Sequence, residues 1–136
     1  GSVLTDKAVG EVGDVDCTAV TIRTKSGRLA QINTTRRAAY GYDQRFEVLG
    51  SKGMLQAGNH RPTEVVAWTA QSVAADKPEY FFLERYRVAY ALEMAHFFDV
   101  LAKGTLPRTS IADGVAALEL AEAATTSWRE KRIVDL

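Results

Sequence analysis

One cysteine, two histidines, no net charge and no long apolar run leave few function classes open to this chain. Cys17 alone excludes an intrachain disulfide and any multi-cysteine zinc site. His60 and His96 have no second histidine three or four residues away with which to share a metal. Asp14-Val15-Asp16 offers too few oxygens for a calcium loop. No metal is therefore expected. Seventeen basic residues balance seventeen acidic ones, so no net field draws the chain to nucleic acid or to an anionic membrane. The apolar runs are only a few residues long, far short of the roughly 20 needed to span a bilayer. No basic stretch leads into an apolar one at the start, so no secretory signal is read, and the cytoplasm is the expected compartment. Gly-x-Gly-x-x-Gly is missing too, which removes the usual means of dinucleotide binding. Gly50-Ser51-Lys52-Gly53 lacks the frame of a phosphate loop and reads as a hairpin turn.

What is present is an ordinary globular mixture, 46% hydrophobic and 25% charged, of a length that suits one domain. The front is strand-rich. Residues 15–24 are dense in Val, Ile, Thr and Ala, and the Ser26-Gly27 turn returns the chain through 29–36. Phe46 and Val48 alternate with Arg45 and Glu47, the period of a half-buried strand, and 54–57 follows the glycine turn. Residues 64–69 and 71–75 form a last, weaker pair. The back is helical. Tyr86, Tyr90, Met94, Phe97, Phe98 and Leu101 give one broad face to a helix over about 84–103. Gly104 and Pro107 then stop it. Ser110 and Asp113 have the spacing of a capping box, opening a second helix to about Glu130. The expected fold is α+β: an open antiparallel or mixed sheet with two long helices packed on one face.

Two helices cover only one face of such a sheet, yet apolar residues fall on both faces. Val20 and Ile22 share a face with Thr18, whereas Val15, Cys17 and Ala19 lie opposite. Val65 and Ala67 oppose Val66 and Trp68. Such a sheet calls for a second cover, either another copy or another domain.

Chemistry is sparse. Cys17 reads as a small strand hydrophobe, and no base beside it or beside any serine is identifiable. Glu93 reads as a partly buried partner of an arginine. Arg85 and Tyr86 open the first helix, where packing competes with ligand contact. No set of residues carries a reaction unaided, so no catalytic residue and no cofactor-binding residue is assigned. Only Tyr40-Gly41-Tyr42 retains a binding reading. Tyrosine hydroxyls flanking a polyol donate and accept hydrogen bonds while their rings exclude water. Gly41 permits a tight turn and a close approach of the backbone to a ligand. Arg36, Arg37 and Arg45 stand near in sequence as further donors. The residues leave a second reading open, in which both tyrosines pack on a sheet edge and the arginines are solvated.

The strings in which these residues stand resemble a known family. Val9 to Asp16, Ala39-Tyr-Gly-Tyr-Asp-Gln-Arg45, Glu47-Val-Leu-Gly-Ser-Lys-Gly53-Met54, Tyr80-Phe-Phe-Leu-Glu-Arg-Tyr86, Ala89-Tyr90 and Asp113-Gly114 follow one another as in the C-terminal domain of inositol 2-dehydrogenases. These belong to the glucose–fructose oxidoreductase/inositol dehydrogenase/rhizopine catabolism family. The resemblance implies a full-length enzyme with an N-terminal Rossmann domain that binds NAD and a C-terminal domain for substrate contacts and oligomerisation. Residues 1–136 are then that C-terminal domain, lacking the Rossmann half. It also implies a cyclic polyol as substrate, met by Tyr40 and Tyr42, and a homo-oligomer built through the sheet face.

The family's catalytic lysine stands in a Glu-Lys-Pro motif, with an aspartate and a histidine four residues apart in a helix further on. Asp76-Lys77-Pro78 is a chance echo late in the chain, and no Asp-x-x-x-His occurs. The resemblance therefore implies that the isolated chain is inactive and binds no NAD. The alternative is a standalone, non-catalytic oligomeric binding domain.

Overall fold

The computed structural model describes all residues, 1–136. Its elements in chain order are α1 (Lys7–Glu11), β1 (Cys17–Arg23), β2 (Leu29–Thr35), β3 (Phe46–Gly50), β4 (Gly53–Ala57), β5 (Val66–Trp68), β6 (Val73–Ala75), α2 (Phe82–Arg85), α3 (Arg87–Lys103) and α4 (Ile111–Glu130). Strands occupy the front and long helices the back, an α+β chain. Along β1 the period-two pattern survives, with Thr18, Val20 and Ile22 half-buried and Ala19, Thr21 and Arg23 exposed. The short α1 was not anticipated. It opens on Asp6, whose carboxylate accepts from the Ala8 N–H at 3.1 Å.

The expected single open sheet is not what forms. The strands make three two-stranded antiparallel sheets, β1–β2, β3–β4 and β5–β6. The reason is local: each strand pairs with the one that follows it across a short turn, in the registers Val20–Ile32, Val48–Leu55 and Ala67–Ala74. Nor does either long helix bury a residue against a sheet. Along α3 the intended stripe of Tyr90, Met94, Phe97, Phe98 and Leu101 is joined by Val88 and Leu92, so apolar groups surround the helix. All seven are exposed. A helix that is apolar on every side needs cover on more than one. The helix ends follow sequence logic more closely. Gly104 takes φ +62° after α3, and its N–H donates to the Val100 carbonyl at 2.9 Å. Ser110 Oγ accepts from the Asp113 N–H at 3.3 Å, and Asp113 Oδ2 accepts from the Ser110 N–H at 2.7 Å, the expected capping box. Tyr86 separates α2 from α3, where the periodicity had suggested one continuous helix.

The chain divides into two compact units, Gly1–Arg37 with Val100–Leu136, and Ala38–Asp99. In the first, one carboxylate organises the chain. Asp16 is 2% exposed. Its Oδ1 accepts from the Leu4 N–H, and its Oδ2 accepts from the Thr5 N–H, the Thr5 hydroxyl and the Asp6 N–H, each at 2.7 Å. The Asp16 backbone ties in two further segments. Its N–H donates to the Ser2 carbonyl at 3.2 Å and its carbonyl accepts from the Arg36 N–H at 2.9 Å. The start of the chain, the entry to β1 and the exit from β2 are thus joined at one residue.

These donors, led by the Leu4 N–H, hold the Asp16 carboxyl well below the usual carboxylate range. The stability they supply is complete above the ordinary pKa of about 3.9 and declines as pH falls below it toward the depressed folded value. Asp16→Ala should therefore lower the melting temperature by roughly 5 °C or more near neutrality. Thermal melts taken from neutrality into acid should show the variant losing part of the acid-side decline. A variant as stable as the parent would remove Asp16 from this role.

Candidate functional site

The Tyr40-Gly41-Tyr42 loop lies in the second unit, and its geometry is set by the glycine. Gly41 is buried at φ +135°, and a Cβ there would stand 2.7 Å from the Pro78 carbonyl oxygen. Both facts demand glycine. Beside it the Tyr42 N–H donates to the Glu79 carbonyl at 2.8 Å, and the Glu79 N–H donates to the His60 carbonyl at 3.0 Å. Three loop segments are stitched together at this point.

The structure gives the two tyrosines different surroundings. Tyr42 is half-buried, with its ring edge-on to Tyr86 at 5.5 Å between centroids and the two hydroxyl oxygens 3.5 Å apart. Tyr86 continues the series to Tyr90 at 6.1 Å and carries the Arg85 guanidinium 5.6 Å from its ring centroid. The contact with Tyr42, together with partial burial, raises the Tyr86 phenol above its ordinary pKa. Tyr40 instead lines a cavity of about 450 Å³ with Asp43, Arg45, Gly58, Asn59, Arg61 and Pro78. Its hydroxyl donates to Asp43.

Asp43 is the centre of that cavity wall. Arg45 grips it with two bonds, Nε to Oδ1 at 2.7 Å and a terminal nitrogen to Oδ2 at 2.9 Å. The Asn59 amide donates to Oδ1 at 2.8 Å, and Asn59 itself accepts from the Gln44 N–H at 2.8 Å. The hydrogen bonds from Arg45 and then Tyr40 hold the Asp43 carboxyl well below the carboxylate range. The same contact raises the Tyr40 phenol, because a carboxylate accepting its proton disfavours phenolate. The wall offers amide, hydroxyl and guanidinium groups, all able to hydrogen-bond, with Arg61 as a second guanidinium beside the paired Arg45.

Of the residues picked out from sequence, Arg45 joins Tyr40 at this cavity and Arg36 and Arg37 do not. Arg37 pairs with Asp6 at 3.1 Å and Arg36 stands 3.9 Å from Asp14. Glu93 is exposed, unlike the partly buried ion pair expected of it. Arg85 and His60 line a second cavity of about 260 Å³ with Glu79, Glu84 and neighbours from α3. There the Arg85 Nε and Glu79 Oε2 are buried without a hydrogen-bond partner. Asp43 and Asn59 were missed by sequence reasoning. Asp43 carried a signal in its spacing, three residues after a tyrosine and two before an arginine. Asn59, 16 residues from Asp43, carried none. No group of three or more His, Cys, Asp or Glu is placed to hold a metal ion. No helix is long and apolar enough to cross a membrane.

Comparison with known proteins agrees with this architecture. Residues 2–136 match the model of the oxidoreductase family's C-terminal alpha/beta domain. All 136 residues align at 48% identity with a myo-inositol 2-dehydrogenase of Thermotoga maritima, covering 41% of that protein. An inositol 2-dehydrogenase of Rhizobium meliloti is 44% identical over 99% of the chain and 41% of its own length. The crystal structure of a myo-inositol dehydrogenase from Corynebacterium glutamicum superposes over the whole chain with a TM-score of 0.94 at 43% identity, covering 41% of that structure. The chain thus spans about two-fifths of the length of the relatives it matches. By the extent of the family match and the identity to these dehydrogenases, the chain belongs to this oxidoreductase family as its C-terminal alpha/beta domain.

Proposed function

We propose that this chain is the substrate-binding and oligomerisation domain of an NAD-dependent inositol 2-dehydrogenase acting on a ring hydroxyl of a cyclic polyol in the cytoplasm. The observation that carries this reading is the similarity to inositol dehydrogenases over the full 136 residues, at 48% identity in one case. The cavity supports it, being walled by the hydrogen-bonded Tyr40, Asp43, Arg45 and Asn59 with Arg61 as a further cation, and lying within the volume range of small-ligand sites. Tyr40 meets the polyol with its hydroxyl. Tyr42 supplies a hydroxyl and a ring held edge-on by Tyr86.

The residues present do not fit a dinucleotide. All three strand pairs are antiparallel hairpins, so no strand–turn–helix unit from a parallel sheet is available to cradle a pyrophosphate. NAD and the catalytic base belong, in this reading, to a Rossmann domain elsewhere in the enzyme. Calorimetric titration of NAD into the isolated chain should give no heat of binding, and the chain should show no dehydrogenase activity. A micromolar dissociation constant would overturn this division of labour.

The oligomerisation role is supported by exposed apolar surface. No hydrophobic side chain is buried, and Leu49, Leu55, Trp68 and Val73 on the hairpins are 57–81% exposed. The chain exposes 11,928 Å², against about 7,000 Å² for a folded monomer of its mass. Side chains of this kind call for cover by a second copy or another domain. Light scattering at tens of micromolar should give a mass of at least a dimer. A clean monomer of 14.9 kDa would show that these faces are tolerated in water.

In the full-length enzyme Tyr42→Phe removes one hydroxyl and keeps the ring against Tyr86. The expected loss is about 0.5–1.5 kcal/mol, or roughly two- to twelve-fold in kcat/KM for the polyol, with NAD affinity unchanged. Tyr42→Ala should also lower the melting temperature, because the ring contact goes. Unchanged kinetics in both variants would reduce Tyr42 to a packing residue.

A further inference from the structure

Asp43 is placed to decide how Tyr40 reads a ligand. A carboxylate has about four lone-pair sites, and here all are taken: Oδ1 by Arg45 Nε and Asn59 Nδ2, Oδ2 by the second Arg45 nitrogen and the Tyr40 hydroxyl. Its side chain is 16% exposed. It has no acceptor site left for a ligand and no free lone pair with which to take a proton. That excludes Asp43 itself as a base or a direct ligand contact.

The donors it holds are left with defined remainders. Tyr40, which lines the cavity, has spent its only proton on Asp43, so its oxygen can offer only lone pairs, with the Arg45 guanidinium also acting on it. Arg45 keeps the rest of its guanidinium hydrogens, and Asn59 keeps its second amide hydrogen while its oxygen is taken by the Gln44 N–H. The polarity of Tyr40, Arg45 and Asn59 is therefore fixed rather than adjustable, while Arg61 adds a further donor to the lining.

We propose that Asp43 is a positioning residue that fixes Tyr40 as a hydrogen-bond acceptor and Arg45 and Asn59 as donors, so that a ligand hydroxyl gives its proton to Tyr40 and accepts from the other two. This rests on the reading of Tyr40 as a polyol contact. It adds direction to that contact: a hydroxyl satisfies both sides of the wall at once, whereas a group at the same place that only accepts loses the bond to Tyr40.

The test is a mutant cycle in the full-length enzyme, with Tyr40→Phe, Asp43→Asn and the double variant, measured as kcat/KM for myo-inositol across pH. Asp43→Asn should lower kcat/KM by about five-fold in the parent and by clearly less in the Tyr40→Phe background, since it acts through the Tyr40 oxygen. Asp43→Glu should recover part of the loss. Asp43→Asn should also bring Tyr40 ionisation down toward its ordinary range. A new alkaline limb in KM should follow, absent when Tyr40→Phe is added. Near-ultraviolet titration of the same variants reads that phenol without substrate, and holds whether or not turnover survives. Equal losses from Asp43→Asn in both backgrounds, with no moved tyrosine titration, would overturn the positioning role while leaving Tyr40 as a contact. If Tyr40→Phe alone leaves kcat/KM unchanged, the polyol reading of Tyr40 fails first. The tyrosine titration then still decides whether Asp43 governs its proton.

Discussion

Saturated carboxylates hold this chain where apolar burial does not. Asp16 receives four hydrogen bonds from three consecutive residues and lies at the crossing of the chain's start, β1 and β2. It is also the single fully buried side chain. An ionised group out of water is costly unless every lone pair is met, and then its removal leaves several backbone N–H groups without an acceptor. The first unit depends on that exchange. The second unit repeats it at Asp43, with side-chain donors replacing backbone ones. The difference matters: backbone donors make a structural joint, whereas Tyr40, Arg45 and Asn59 remain partly available to a ligand.

Local elements were legible because they rest on local chemistry. The Ser26-Gly27 turn, the Gly50–Gly53 turn, the stop at Gly104 and the Ser110–Asp113 box each specify a few dihedrals or one bond, and each stands where its residues imply. The α+β class follows from the same signals. Asp16 was read only as a deficient calcium ligand. Three of its four side-chain partners are backbone N–H groups 10–12 residues away, and backbone groups have no sequence identity to detect; only the Thr5 hydroxyl carries one. The single sheet was an inference about how hairpins join, which pairing across short turns does not determine. The helix stripe misled for a related reason: counting apolar residues on one face of α3 overlooked Val88 and Leu92 on the others.

The site was legible in part. Tyr40, Gly41 and Tyr42 stood out as a cluster, and the tight turn expected at Gly41 is there, but the backbone it approaches closely is the chain's own, at Pro78 and Glu79. Adjacency and the family resemblance both place the two tyrosines at one ligand. With a glycine between them at a dihedral that other residues avoid, the two side chains go to different partners, one to a carboxylate and the other to an aromatic series. Arg36 and Arg37 looked equivalent to Arg45 in sequence. The carboxylates of Asp14 and Asp6 claim them instead.

That separation gives one tripeptide two unlike phenols. Tyr42, against Tyr86 and next to the Glu79 strand of contacts, is held mainly by ring geometry and backbone bonding, and its hydroxyl contact at 3.5 Å is long enough to be exchanged for a better partner. Tyr40 is held by a charge-assisted bond from its hydroxyl to the Asp43 carboxylate. The loop therefore carries one phenol that can still donate and one whose proton is committed to a carboxylate. Gly41 turns the chain between the two and Asp43 commits the Tyr40 proton, so the two phenols are made unlike by the residues beside them rather than by their own chemistry.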